Sequence, residues 1–545
     1  MMPIPRACYA EVRAALLEKR EIALIDVREE DTHAGGHPLF AAHLSLSRLE
    51  LEVYARIPRR DAPVVTFDDD GATEGRAERA ARKLRALGYV DARVFEGGVQ
   101  GWQAAGGELF QDVNAPSKAF GELVDATLHP PSLSAEEVKA LLDTGADVRV
   151  VDVRRFDEYQ TMSIPGAINV PGAELALRVP ELAPDPRTRV IVNCAGRTRS
   201  IIGAQSLINA GLPNPVAALR NGTIGWTLAG FGKDLEHGQT RRHGEATEAV
   251  RARLAARARA VAESAGVGWV TLADVTAWRK QEGRTTYCID VRDPAEYEAG
   301  HLPGFRSVPG GQLVQETDMT AVVRGARVVL ADTDGVRAAM TASWLAQMAW
   351  EVYVLASPDA RAWTETGPWQ TPLPPHPDVP LVSPETLAGW LQSNDRPVVI
   401  DMTAYANYRR GHVPGAWYAL RADLAVGALE RLPAAKRYVL TCLSATLARY
   451  ACPEVAARLK DRAEVAVLAG GTQSWEAAGL PLEQEERRVS EPRDRYRRPY
   501  EGTDSSAEAM RAYLEWEFGL VWQLERDGTH HFRVLRMADF PGGDL

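Results

Sequence analysis

The residues with most capacity for chemistry lie between Val190 and Ser206, which reads Val-Ile-Val-Asn-Cys-Ala-Gly-Arg-Thr-Arg-Ser-Ile-Ile-Gly-Ala-Gln-Ser. Cys194 is the candidate nucleophile. Ala195 and Gly196 are small enough for a tight turn, and Arg197 and Arg199 bring two fixed positive charges. A thiol in such a loop is expected to ionise near neutral pH and to attack as a thiolate. A structural cysteine would sit among apolar residues, and two arginines and a glycine within five residues are a different setting.

The elements that must position this thiol follow from the same stretch. Val190, Ile191 and Val192 form an apolar, β-branched run expected as a buried strand. Ser200 to Leu207 reads as a helix, with Ile201 and Ile202 apolar and Gly203, Ala204 and Ser206 small. The order is therefore strand, cysteine, tight loop, helix, and the amide groups of the loop and helix start are expected to converge on the thiol.

This unit recurs. Four apolar-Asp stretches contain Asp26, Asp152, Asp290 and Asp401, and the next strand ends at Asp68, Cys194, Asp332 and Cys442, which lie 42, 42, 42 and 41 residues on. Related turns stand between them, Ser163 to Ala167, Gly300 to Gly304 and Gly411 to Gly415. A glycine-tryptophan signature ends three repeats, with Trp102, Trp226 and Trp475 lying 34, 32 and 33 residues after the loop position. Strand-like runs alternate with helix-like ones, which predicts parallel sheets covered by helices on both faces, with ligands at the carboxyl ends of the strands.

Cys194-Ala-Gly-Arg-Thr-Arg199 resembles the active-site loop of rhodanese-type sulfurtransferases, and the four registers extend the resemblance from about Pro5 to Glu485. It implies an α/β chain of four tandem rhodanese-like domains plus a C-terminal helical extension. The expected boundaries are 5–112, inactive, with Asp68 at the loop position; 127–235, active, with Cys194; 236–266, a helical linker joining two halves; 267–372, inactive, with Asp332; 380–485, with Cys442; and 486–545, the extension. Two-domain members of the family pair an inactive first domain with an active second, and this chain looks like that arrangement duplicated.

The resemblance also implies the reaction. Cys194 takes a sulfane sulfur from thiosulfate or a similar donor as a persulfide and passes it to cyanide or a thiol. Ala195, Gly196, Arg197, Thr198, Arg199 and Ser200 are the expected substrate-binding loop, with Arg197 and Arg199 holding the donor's charge. Two basic residues suit dianionic thiosulfate better than 3-mercaptopyruvate. Related phosphatases of the same fold place arginine six positions after the cysteine, where this chain has Ser200. A cysteine phosphatase or arsenate reductase is the less favoured alternative, and a non-catalytic scaffold or sulfur relay is the other.

Cys442 is a candidate second nucleophile in an equivalent position. Its loop, Cys442-Leu-Ser-Ala-Thr-Leu-Ala448, has no glycine and no arginine, so its thiolate is expected to be less favoured. Cys288 and Cys452 read as core residues and Cys8 as incidental. Where the other repeats have Gly-His, with Gly36-His37 nearby in the first, the second has Met162-Ser163, a difference expected to be structural. Asp152 and Arg154 are expected to form a structural ion pair.

The remainder of the chain bounds these readings. Its 545 residues are 45% hydrophobic and 25% charged, the composition of a multidomain globular protein. Lys and Arg number 63 against 73 Asp and Glu, a formal charge of −10 that argues against a nucleic-acid partner. Five dispersed cysteines without a CxxC pair argue against a disulfide framework or zinc site, and His530 and His531 are adjacent and share no helix face. No metal and no cofactor are called for. The first twenty residues are charged throughout and no apolar run approaches a membrane span, so a reducing cytoplasm is the expected location. In the extension, Ser505-Ser-Ala-Glu508 reads as a capping box opening a helix. That tail is expected to dock on a domain of its own chain or on a second copy, giving a homodimer.

Overall fold

The computed structural model describes residues 3–356, 358–502, 504–536 and 539; within the expected extension, Thr503, 537–538 and 540–545 lie outside the described residues. In the second domain the central strand is Arg189–Asn193. Val216–Leu219 and Val148–Asp152 flank it, and Ser132–Leu133 and Ile168–Asn169 form the edges, all paired in parallel. The register sets Val150 opposite Ile191 and Asp152 opposite Asn193. The third and fourth domains repeat this order around Arg327–Ala331 and Arg437–Thr441. The first repeats it around Val64–Phe67, with Ala42–His43 beside Ile22–Asp26.

Both faces of these sheets are covered, so the strands are apolar without interruption. In the second domain Val151, Val190, Val192 and Cys194 belong to the core on one face. Val150, Ile191 and Trp226 belong to the core on the other. Side chains alternate along a strand, so Cys194 leaves its strand on the side of Val190 and Val192. The helix after the loop is Thr198–Asn209, starting two residues before the sequence reading placed it.

The glycine of the glycine-tryptophan signature has a steric cause. Gly222 has φ +53, and a Cβ there would lie 2.3 Å from the Cys194 carbonyl oxygen. Gly98 and Gly471 stand in the same relation to the carbonyls of Asp68 and Cys442, at 2.5 and 2.2 Å. The repeat keeps glycine where the loop backbone presses against the following turn.

The domains pair in a way the sequence reading did not expect. One compact unit comprises 3–9, 23–112 and 371–497, and so holds the first and fourth domains. There, Arg421 gives Nη1 to Glu50 at 2.6 Å and Nη2 to Glu454 at 2.8 Å. The other unit comprises 10–22, 113–370 and 498–536, and so holds the second and third domains. Arg337 meets Glu174 at 2.7 Å and Trp344 Nε1 donates to Ser206 Oγ at 2.8 Å. The expected linker forms the helix Glu248–Ser264. It joins no two independent halves: Leu254, Ala258, Val261 and Ala262 are buried, and it packs on the third-domain helix Arg337–Gln347 within one unit.

The extension forms the helix Ala507–Asp527. Its N-cap is Ser506, whose side chain accepts from Ala509 N. The expected capping box from Ser505 to Glu508 is therefore replaced by a single serine cap one residue later, since Ala509 at the third helical position has no polar side chain to reciprocate. The buried stripe Met510, Tyr513, Leu514, Glu517, Leu520 and Leu524 faces its own chain and packs on the helix Ala115–Leu128. Among the described residues no helix is long and apolar enough to cross a membrane.

Candidate active site

Cys194 sits at the carboxyl end of the central strand, 1% exposed. Its Sγ donates to Ser200 Oγ at 3.4 Å, and that hydroxyl donates to Arg197 O at 2.8 Å. The loop is held from behind by Thr223 N, which donates to Cys194 O at 3.0 Å. The structure thus brings Cys194, Ser200 and Arg199 together, with Ala195, Gly196 and Thr198 forming the turn.

The two arginines part company. Arg199 carries its guanidinium near the thiol and holds Glu158 through Nη1 at 2.9 Å and Nη2 at 2.8 Å. Burial acts on Glu158 in the opposite sense, but the Arg199 pair wins and holds its carboxyl at about 2. Arg197 turns to the helix Ala115–Leu128. Its Nε and Nη2 reach Glu122 at 2.7 and 2.8 Å, and Nη2 also reaches Asp125 at 2.8 Å. Arg197 still lines the cavity beside Cys194, but its charge is shared with these carboxylates. Two carboxylates satisfy its fork, and charge counted along the sequence does not say which way a side chain points.

Opposing influences act on the thiol. Burial pushes Cys194 up from its ordinary value; Arg199 and the contacts with Ser200 pull it down, and Glu517 adds to the rise. The loop is covered by residues that sequence reasoning left without a role. A Cβ on Gly196 would lie 3.3 Å from Tyr513 Cε1 and 3.6 Å from Glu517 Oε2. Lys118 Nζ lies 5.7, 5.1 and 5.4 Å from the ring centres of Tyr500, Tyr513 and Trp516. What remains beside Sγ is a cavity of about 20 Å³, room for one water molecule. A signal for this cover was present. Glu517 falls on the apolar stripe of its helix, four residues after Tyr513 and three before Leu520, where a surface carboxylate has no place.

A larger cavity of about 370 Å³ lies between the second and third domains, walled by Val153, Ile202, Met340 and Trp344. It shares Thr198 and Arg199 with the loop, but Cys194 does not line it.

The other loop positions differ. Asp68 accepts from Gly71 N at 2.7 Å and Ala77 N at 2.9 Å. Asp332 accepts from Gly335 N at 3.0 Å and Ala338 N at 2.8 Å. In both, a carboxylate occupies its own loop's amide groups. Burial pushes the Cys442 thiol up, while the amides of Ala448, Leu447 and Ser444 pull it down. Amide convergence is therefore fuller at Cys442 than the sequence reading allowed, and no guanidinium joins it. Cys288 and Cys452 are buried and Cys8 is half-buried.

The structural readings of the repeat hold. Arg154 grips Asp152 through Nε at 2.9 Å and Nη2 at 2.7 Å, as Arg28 and Arg292 grip Asp26 and Asp290. In the Gly-His turns, His301 and His412 are buried and stack on Tyr297 and Tyr408.

Comparison with known proteins agrees with this architecture. The rhodanese-like domain model matches four times, at residues 10–105, 134–229, 272–357 and 383–478. The chain belongs to the rhodanese-like family. It is similar to the crystal structure of a thiosulfate sulfurtransferase from Pseudomonas aeruginosa, with 61% identity and a TM-score of 0.95 over 98% of this chain and 100% of that one. It is also 28% identical over 226 residues to the HTH-type transcriptional regulator Rv0324 of Mycobacterium tuberculosis, covering 41% of this chain and 89% of that protein. A further relative, the thiosulfate sulfurtransferase GlpE of Coxiella burnetii, is 28% identical over 89 residues, 16% of this chain and 78% of that protein.

Proposed function

We propose that this chain is a thiosulfate sulfurtransferase whose working nucleophile is Cys194. The observation that carries the reading is the placement of a thiol at the end of the central strand, with Ser200 and the Arg199 guanidinium beside it. The likeness to the Pseudomonas aeruginosa thiosulfate sulfurtransferase supports the donor. The Cys194 thiolate attacks the outer sulfur of thiosulfate, sulfite leaves, and the persulfide passes its sulfur to cyanide or a thiol. Arg199 and the loop amides hold the developing negative charge. Arg197 supports the loop by fixing it to Glu122 and Asp125.

The cavity beside Sγ, about 20 Å³, has room for about one water molecule, and thiosulfate has five heavy atoms, so entry requires the cover formed by Tyr500, Tyr513 and Glu517 to move. The same movement hydrates the thiol and removes the burial that raises it most. The first and third domains are proposed to be inert, their loops filled by Asp68 and Asp332, and Cys442 to be secondary because it lacks a cation. Five free cysteines fit a reducing cytoplasm. A second copy binding through the extension would use its outer face, where Phe518 and Trp522 are 56% and 61% exposed.

The test is the intact mass after incubation with thiosulfate. The wild type is expected to gain one sulfur atom and lose it to cyanide. Cys194→Ser is expected to gain none and to lose thiosulfate:cyanide turnover, while Cys442→Ser keeps both. Retention of most activity by Cys194→Ser would assign the chemistry to Cys442.

A further inference from the structure

Among the described residues, Glu517 is the one carboxyl group that lines the cavity beside Cys194. It is 1% exposed. Its Oε1 accepts from Tyr513 OH at 2.8 Å, and its Oε2 is buried with no hydrogen-bond partner. That oxygen lies against the loop at Gly196, where a Cβ would stand 3.6 Å from it. A buried, half-satisfied carboxyl is costly to keep, and an apolar residue would continue the helix stripe without that cost. The groups facing it are Glu122 and Lys118 from the helix Ala115–Leu128, Cys194 and Arg197 from the loop, and Tyr500 and Tyr513 from the extension.

Resting on the sulfurtransferase reading, we propose that Glu517 is a catalytic acid–base residue that protonates the departing sulfite and then takes the proton of a thiol acceptor. In the first half-reaction, the Cys194 thiolate forms a bond to the outer sulfur of thiosulfate and the S–S bond to sulfite breaks. The protonated Glu517 gives its proton to sulfite, so hydrogen sulfite leaves and a Cys194 persulfide anion and a Glu517 carboxylate remain. In the second, the sulfur of a thiol acceptor bonds to the outer persulfide sulfur as its proton passes to the carboxylate. The Cys194–sulfur bond breaks, and the products are the acceptor's persulfide anion, the Cys194 thiolate and protonated Glu517. One proton enters with each thiol and leaves with each sulfite. Cyanide, attacking as the anion, brings no proton and needs no base.

The surroundings suit this role. Burial, with the Glu122 charge adding to it, pushes Glu517 up to about 8, and Lys118 and Arg197 restrain the rise. A group in that range both gives and takes a proton near neutral pH.

The experiment separates the acceptors. Wild type and Glu517→Gln are loaded with thiosulfate, desalted, checked by intact mass, and discharged in a single turnover by glutathione or by cyanide. Glu517→Gln is expected to discharge to glutathione at least a hundredfold more slowly at pH 7, within the roughly 10²–10⁴ range of general acid–base catalysis. Its discharge to cyanide should be nearly unchanged. Its glutathione rate should climb with the thiolate fraction as pH rises to 9, and the wild-type rate should be flatter. Equal loss with both acceptors, or loss with neither, overturns the proposal. If Glu517→Gln does not fold or load, Glu517→Asp, which keeps an acid at a shorter reach, is put through the same comparison and judged by the same split. A wild type that gains no sulfur would instead overturn the sulfurtransferase reading itself.

Discussion

Replacing Arg199 by alanine should separate the two arginines of the loop. Arg199 is the strongest influence opposing burial at the Cys194 thiol, and it holds Glu158 by two hydrogen bonds of 2.9 and 2.8 Å. Its removal does two things in the same direction. The thiolate loses its cation, and Glu158, left with only the Arg155 pair at 3.4 Å and the more distant Arg154 charge, bears more net negative charge beside the loop. One charge-assisted contact is worth about 1.5–3 kcal/mol. At about 1.36 kcal/mol per decade, thiosulfate kcat/KM should fall roughly tenfold to a hundredfold. Arg197→Ala should behave differently. It strips the partner from Glu122, a buried carboxylate, and breaking such a pair costs about 3–5 kcal/mol of stability, while kcat per folded molecule changes little. Both variants are assayed for thiosulfate:cyanide kcat/KM, for the pH profile of Cys194 alkylation by iodoacetamide, and for thermal melting. The reasoning is refuted if Arg199→Ala leaves the alkylation profile and kcat/KM where they were. It is also refuted if Arg197→Ala loses as much activity while melting like wild type.

Asp68→Ala and Asp332→Ala should leave thiosulfate:cyanide turnover nearly unchanged with the circular dichroism intact; a large loss would place those loops in the reaction. Gly222→Ala puts a Cβ 2.3 Å from the Cys194 carbonyl at φ +53. The left-handed backbone alone costs about 1–2 kcal/mol, so melting should drop by at least several degrees, given roughly 4 °C or more per kcal/mol in domains of about 100 residues. Glu517 has a folded value of about 8 against 4.5 for the free side chain, so the folded form holds a proton that the unfolded form has lost between those limits. Its stabilising effect is full below about 4.5 and is lost as pH rises to about 8. Protection of the helix Ala507–Asp527 against hydrogen exchange, taken relative to the intrinsic rate at each pH, should therefore fall across that window in wild type and stay level in Glu517→Gln.

What the sequence disclosed and what it hid divide along physical lines. The repeat was legible because its markers are forced locally. Gly98, Gly222 and Gly471 are pinned by carbonyl oxygens; Asp26, Asp152 and Asp290 are pinned by the arginine two residues on. Where Thr403 replaces that arginine, burial pushes Asp401 up to about 6, a departure already visible as a broken pattern. The pairing of the second domain with the third was not legible, since Arg337 with Glu174 and Trp344 with Ser206 meet across more than a hundred residues and follow no period. The direction of Arg197 was hidden for the same reason. Its partners Glu122 and Asp125 lie on a helix outside the loop.

The four loops can be compared as one cradle filled in different ways. A loop that presents amide groups at a strand's end needs an acceptor for them. In the first and third domains the chain supplies its own carboxylate, and Asp68 and Asp332 each accept two amides. Cysteine is shorter and uncharged as a thiol, so it leaves the cradle ready for an anion at the price of a buried group that resists ionising. At Cys442 the amides of Ser444, Leu447 and Ala448 face the sulfur without a cation. At Cys194, Arg199 supplies the cation and the extension adds Glu517, a group able to move a proton. The sulfur chemistry is therefore expected in the one loop where thiol, guanidinium and carboxylic acid meet. Giving Cys442 its missing cation tests this account: Leu447→Arg places a guanidinium at the position equivalent to Arg199. It should speed alkylation of Cys442 by iodoacetamide in a Cys194→Ser background without restoring thiol-acceptor turnover, because no acid covers that loop. Recovery of full turnover to glutathione from the arginine alone would show that the covering acid is dispensable.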